Sequence, residues 1–310
     1  IWLNTRAVER PRTLWPNARS TEIRATHRTS RCGHTVTEVF ALPETLSPSG
    51  TGTFQNCPLQ FRFQNIQKLP QPPGAAAVKG NVVHRALELL FQLDAPLRTH
   101  AAAHDFLATA KTEFEPTYDI TGLNLTPEQA TKFWADCTTL VDSYLRMEDP
   151  TTINSIDTEM WVTAPLAKVA LRGIIDRIER DADGGLIISD YKTGKAPLDI
   201  DVEGKMMQLQ MYAYMLREMR GELPTSLQLL YIKDGIRHTR TPTEQSMRFV
   251  HTRTNALFNA IEKSCATSFF PTKKSGLCNF CNFKSWCPEF GGDPSKAAVE
   301  APLKYPRPPQ

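Results

Sequence analysis

The sequence predicts an α/β fold, a central mixed sheet flanked by helices, with a helical insertion at about 95–150. Three observations predict it. Apolar residues recur at helical spacing in 80–93, in a segment starting at Thr126 and in about 243–266. The period changes to that of strands in 157–162, 169–180, 185–192 and 226–233. A further helix, at about 203–220, separates the last two strands. A chain of 310 residues with 41% hydrophobic and 22% charged residues is long and apolar enough for one large domain or two modest ones.

Taken in order, residues 1–45 hold seven arginines, no lysine and few apolar residues. They are expected to form a disordered or loosely attached basic arm; a transit peptide is the alternative. The main domain is expected over 46–290. In "GNVVHRALELLFQL", Val82, Val83, Ala86, Leu87, Leu90 and Leu93 share one arc, with His84 just beyond its edge. Thr126, Pro127 and Gln129 supply a cap, a first-turn proline and a capping-box partner for a helix reaching about Met147. Asp183, Gly184 and Gly185 mark a hairpin turn. The proline-rich tail, 291–310, is expected to be disordered. No run approaches the roughly 18 apolar residues of a membrane span, and no export signal is apparent, so a cytoplasmic address is expected. A net charge of +3 does not mark a nucleic-acid binder, though it allows a local basic groove.

The apolar run "LII" ends in "SDYKTGK". Strand alternation puts Asp190 and Lys192 on one side and Tyr191 on the other. Asp176, near the end of the preceding strand, can meet Asp190 across the hairpin. Two carboxylates at one point repel unless a cation lies between them, and hard oxygen ligands suit Mg2+ or Mn2+. Lys192 can stabilise negative charge that develops there. His84 offers a nitrogen ligand, and Glu159 can reach the same place from the neighbouring strand. Gln208 and Tyr212, four apart on a helix, offer hydrogen bonds to this centre or to a phosphate. Each residue alone has an ordinary reading as a strand-end ion pair, a core histidine or a cap; the set together points to a site.

The set resembles the RecB-family branch of the PD-(D/E)xK nuclease superfamily. The resemblance rests on the histidine of "GNVVHRALE", on "GIIDRIE", on "DYKTGK" and on "QLQMY", in that order, and covers about 46–290. It implies a restriction-endonuclease-like core acting on DNA. His84, Asp176 and Asp190 would hold Mg2+ or Mn2+, with the Tyr191 carbonyl completing the shell. Lys192 would serve the attacking water, and Gln208 and Tyr212 would support the centre. The resemblance also favours an exonuclease acting on single-stranded ends, in repair or recombination. No phosphate-binding G-x-x-x-x-G-K-[ST] run occurs, so a separate helicase is the possible motor. Arg177, Lys195 and Lys205 are candidate DNA contacts. A catalytically inactive DNA-binding or scaffold subunit is the alternative function.

Seven cysteines, an odd number without an export signal, suit metal better than disulfides. Cys278, Cys281 and Cys287 form one C-x2-C-x5-C group, and Cys57 is the candidate fourth ligand. The same resemblance implies a [4Fe-4S] cluster on these four, stapling the two ends of the domain. Zn2+ is the rival, since four thiolates also suit a tetrahedral ion. Phe280, Phe283, Trp286 and Phe290 are expected to shield the centre. Cys32, Cys137 and Cys265 show no partner pattern, and Cys137 reads as a packed thiol.

Overall fold

The computed structural model describes residues 39–166, 168–197 and 199–306. Among these residues, six strands form one mixed sheet. They are β1 (Thr45–Leu46), β2 (Ser155–Leu166), β3 (Val169–Arg180), β4 (Leu186–Lys192), β5 (Ser226–Tyr231) and β6 (Ile236–Arg240). The order is β1-β3-β4-β5-β6, with β2 antiparallel to β3. The β3–β4 turn closes on Asp181, whose carboxylate accepts the N–H groups of Asp183 and Gly185. Gly184 there has φ +87°, which only glycine adopts without strain. β4 and β5 are parallel, so the chain must cross over between them, and α7 (Asp199–Arg220) makes the crossing.

The other helices are α1 (Pro48–Asn56), α2 (Pro58–Phe61), α3 (Ala75–Phe91), α4 (His100–Phe114), α5 (Tyr118–Thr121), α6 (Pro127–Met147), α8 (Glu244–Thr267) and α9 (Ala297–Lys304). One core joins Leu171, Ile175, Ile188, Leu227 and Leu229 of the sheet to Leu209 and Met215 of α7 and Phe258 of α8. A second core joins Tyr191, Leu230 and Ile232 to Val83, Leu87 and Leu90 of α3 and to Val141 and Tyr144 of α6. Successive β5 residues therefore serve different cores. This is why the strand, Ser-Leu-Gln-Leu-Leu-Tyr, carries apolar residues on both of its faces: both are covered. The α6 capping box of Thr126 and Gln129 is present.

At the ends, the tail needs correction, and the arm is described only from residue 39. Of the arm, residues 1–38, with Cys32, lie outside the described residues. Of residues 39–45 only Phe40 is buried, edge-on to Phe270, with its N–H donating to the Cys265 carbonyl. The tail expected to be disordered instead carries α9. Proline content hid two of its three alanines, Ala297 and Ala301, which are fully buried. The Trp286 indole N–H donates to Glu300 at 2.7 Å, and its ring meets Tyr305.

Candidate active site

The site lies where the sheet opens. β3 and β4 pair as far as Arg177 with Ser189, and there the ladder ends. The next opposing residues are Asp176 and Asp190. β1 takes up the same edge of β3 only at Ala170 and Leu171. The two carboxylates thus stand in a fork between strands, beside backbone groups with no ladder partner. Asp176 takes up one of them, accepting the Tyr191 N–H at 2.8 Å. His84 Nε2 donates to the Tyr191 carbonyl at 3.0 Å, and its Nδ1 lies 3.5 Å from Asp176. Opposite Asp176 on β2, Glu159 sits between the ladder pairs of Thr158 and Met160 with φ +48°, a left-handed backbone that costs a residue with a side chain about 1–3 kcal/mol. Donor atoms of His84, Glu159 and Asp176 lie within 4.8 Å of one another.

Asp190 and Lys192 do share one side of β4, their charged ends 2.5 Å apart. Gln208, from α7, donates to Asp190 Oδ1 at 3.3 Å and to the Tyr212 hydroxyl at 3.0 Å. Tyr212 can lie this close to the sheet because residue 173 is glycine. A Cβ there would stand 2.5 Å from the Tyr212 ring.

The charges are strongly coupled. Burial pushes the Asp190 carboxyl up to about 6, with Lys192 opposing the rise and Asp176 adding to it. Burial likewise raises Glu159 to about 7, helped by Asp176. Burial works against a protonated His84, yet Asp176, Asp190 and Glu159 together raise it to about 9. Asp176 is buried as well, but His84 and the Tyr191 N–H hold it below the ordinary carboxylate range. Three carboxylates therefore converge with an imidazole in a poorly solvated fork. Apart from the Lys192 ammonium, Asp190 Oδ2 has no partner among the described residues. Such a donor set fits a hard divalent cation.

The family model described as the PD-(D/E)XK nuclease superfamily matches residues 45–288. The chain belongs to this superfamily. PD-(D/E)XK nucleases use divalent metals, and the fork supplies acidic and histidine groups able to hold one. The chain is similar to the gene 69 protein of Mycobacterium phage D29, 25% identical over 274 residues, covering 79% of this chain and 96% of the relative. A crystal structure named "Putative exonuclease", from Eubacterium rectale, has a TM-score of 0.51 at 13% identity, covering 77% of this chain and 87% of that one. That likeness is one of fold.

For this PD-(D/E)XK chain, the structure brings His84, Glu159, Asp176, Asp190, Tyr191, Lys192, Gln208 and Tyr212 together. Lys195 is exposed in the connection into α7, and Lys205 is exposed in the second turn of that helix. Arg177 is a correction. Far from facing a DNA strand, it is fully buried, paired with Glu148 and Glu179 and bonded to the hydroxyls of Tyr144 and Tyr191. Its role is to clamp β3 and β4 to α6.

Sequence reasoning missed two features. Tyr231, the ladder partner of Lys192, is buried, its hydroxyl without a hydrogen-bond partner among the described residues and within electrostatic reach of Lys192 and Asp190. A cavity beside Thr193 and Gly194 is lined by Lys79, Lys132, Asp136 and Lys233, from three separate segments. Only the register of β4 on β5 could have pointed to the tyrosine, and only the packing of α3 and α6 to the lysines.

Cys57, Cys278, Cys281 and Cys287 line one cavity. Burial raises the Cys281 thiol, and charge on Cys57, Cys287 and Cys278 raises it further, as befits neighbours. The strands of chain they sit on are joined independently. The Leu59 N–H donates to the Pro271 carbonyl, Lys273 to the Gln55 carbonyl, and Phe63 packs on Phe283 at 5.2 Å. Phe283 and Trp286 are buried as expected of a shield, whereas Phe280 is 84% exposed and Phe290 46%. Cys137 and Cys265 are buried, packed thiols.

Proposed function

We propose that the chain is a metal-dependent DNA nuclease of the RecB type, an exonuclease acting on single-stranded ends in repair or recombination. The observation that carries this is the sheet fork, where Asp176, Asp190, Glu159 and His84 converge beside Lys192. His84, Asp176, Asp190 and the Tyr191 carbonyl would hold Mg2+ or Mn2+, with Glu159 as a further ligand. When bound, the cation supplies Lewis acidity and an activated water for phosphodiester hydrolysis. The chain's own residues do the rest. Lys192 places a positive charge where negative charge develops on the phosphate. Gln208, supported by Tyr212, holds Asp190 in place, and Asp176 fixes the β4 backbone at Tyr191. The complete set disfavours the rival reading of an inactive DNA-binding or scaffold subunit. A separate helicase is the partner this reading allows.

Asp190→Asn and Lys192→Ala are expected to lower cleavage of end-labelled DNA in Mg2+ or Mn2+ by on the order of 10²-fold or more, with folding intact. Either variant cutting at the wild-type rate would refute the assignment. Labelled products from single- and double-stranded substrates, resolved by length, test the exonuclease reading.

The strand's path is proposed to pass the cavity of Lys79, Lys132 and Lys233 toward Lys195 and Lys205. Lys79 and Lys132 both pair with Asp136, so Lys233, Lys195 and Lys205 are the better probes. In Ca2+, removing each charge should flatten the dependence of log affinity on log salt by about one unit. An unchanged slope would place the path elsewhere.

The four cysteines are proposed to hold a [4Fe-4S] cluster as a staple. The shared cavity and the independent joining of its two walls support a common centre. Iron, sulfide and zinc analysis of an anaerobic preparation decides between the cluster and Zn2+.

A further inference from the structure

We propose a second metal site, separate from the sheet fork, between α4 and α6. His100 and His104 are the first and fifth residues of α4, one turn apart and on one face. Their rings stack, with centroids 4.6 Å apart and planes 28° apart. Both present Nε2 to a single oxygen of α6: Asp142 Oδ1 lies 2.8 Å from His104 Nε2 and 3.4 Å from His100 Nε2. The three donor atoms lie within 4.8 Å of one another. Zinc bonds of about 2.0–2.1 Å place tetrahedral ligands about 3.3–3.4 Å apart. The His100 contact at 3.4 Å already has this spacing, and the His104 contact at 2.8 Å is a hydrogen bond that the ion would replace by opening it about 0.5 Å.

One imidazole N–H is enough to partner Asp142 Oδ1. A second imidazole, stacked on the first and brought to the same oxygen, adds little as a hydrogen bond but completes three corners of a tetrahedron. Two imidazoles and one carboxylate suit Zn2+, Co2+, Ni2+ or Cu2+ better than Mg2+. The side chains are 68%, 33% and 32% exposed for His100, His104 and Asp142, so an ion can enter from solvent and keep a water as its fourth ligand. None of the three residues touches the nuclease centre, so the site is a clasp rather than a second catalytic metal. It pins α4 to α6, and both pack on α3, which carries His84.

The test uses the full chain and two variants. His100→Ala keeps the His104–Asp142 bond and so the local fold; Asp142→Asn keeps the side chain's shape. Binding of Co2+ is followed by absorption and equilibrium dialysis, and Zn2+ by competition. The cysteines and the His84 centre are present in all three proteins, so their metals cancel in the comparison. The wild type is expected to bind one more equivalent than either variant, or the same equivalent at least ten-fold more tightly. That equivalent should show the visible bands of a low-coordinate Co2+ without thiolate charge-transfer absorption. Equal stoichiometry and affinity in the wild type and either variant would overturn the site and leave an ion pair beside an exposed histidine.

Discussion

Asp176, Asp190 and Lys192 were legible because a strand has only two faces, and the acid–lysine spacing of two leaves no choice between them. His84 was legible from the edge of its helical arc. Arg177 was misread because its partner acid, Glu148, is 29 residues away in sequence and meets it only once α6 lies on the sheet. Glu159 was visible as an acid on a strand, but nothing in its neighbours announces a left-handed backbone. The proton balance of these residues has a measurable consequence. Metal binds the deprotonated groups, so protons compete with it. With Glu159 titrating at about 7 and His84 at about 9, Mn2+ affinity should rise with pH and level off above 9. The rise should be steepest below about 6, where Asp190, Glu159 and His84 must all lose protons, less steep from 6 to 7, and shallowest from 7 to 9, where only His84 must. His84→Gln should remove the shallow part. A pH-independent affinity across this range, measured by calorimetry, would remove both residues from the ligand set.

Long helices and buried strands declared themselves by period, and α6, α7 and α8 lie close to where their apolar spacing puts them. β1 and β6 did not. β1 is two residues long, and β6, Ile-Arg-His-Thr-Arg, has no apolar alternation because it edges the sheet against solvent. Contact between elements was equally hidden. Gly173 reads as an ordinary strand glycine until α7 lies across it. Gly173→Ala forces the Tyr212 ring away, a change expected to cost about 1–3 kcal/mol as overpacking. Cleavage should fall as well, because Tyr212 steadies Gln208 and Gln208 steadies Asp190. In a Tyr212→Ala background the stability cost should largely vanish, as a double-mutant cycle would show. Equal costs in both backgrounds would mean that the ring is not what the glycine accommodates.

Across the whole molecule, the three clustered cysteines were easy to read and the fourth less so, since about 220 residues separate Cys57 from Cys278 and long loops gain most from being closed. Cys57→Ser should therefore lower the thermal midpoint and reduce bound metal as much as Cys281→Ser does. If Cys57→Ser kept the full metal content, the centre would belong to the other three alone. The order of the four along the chain also sets a timetable. At about 5–20 residues per second, Cys57 leaves the ribosome on the order of 10–40 s before the last strands and the other three thiols exist. A centre held by all four can close only after the nuclease fold has been made. Maturation of the proposed centre would thus be a late checkpoint: a chain broken off between Tyr212 and Cys287 holds every residue of the sheet fork and is never sealed.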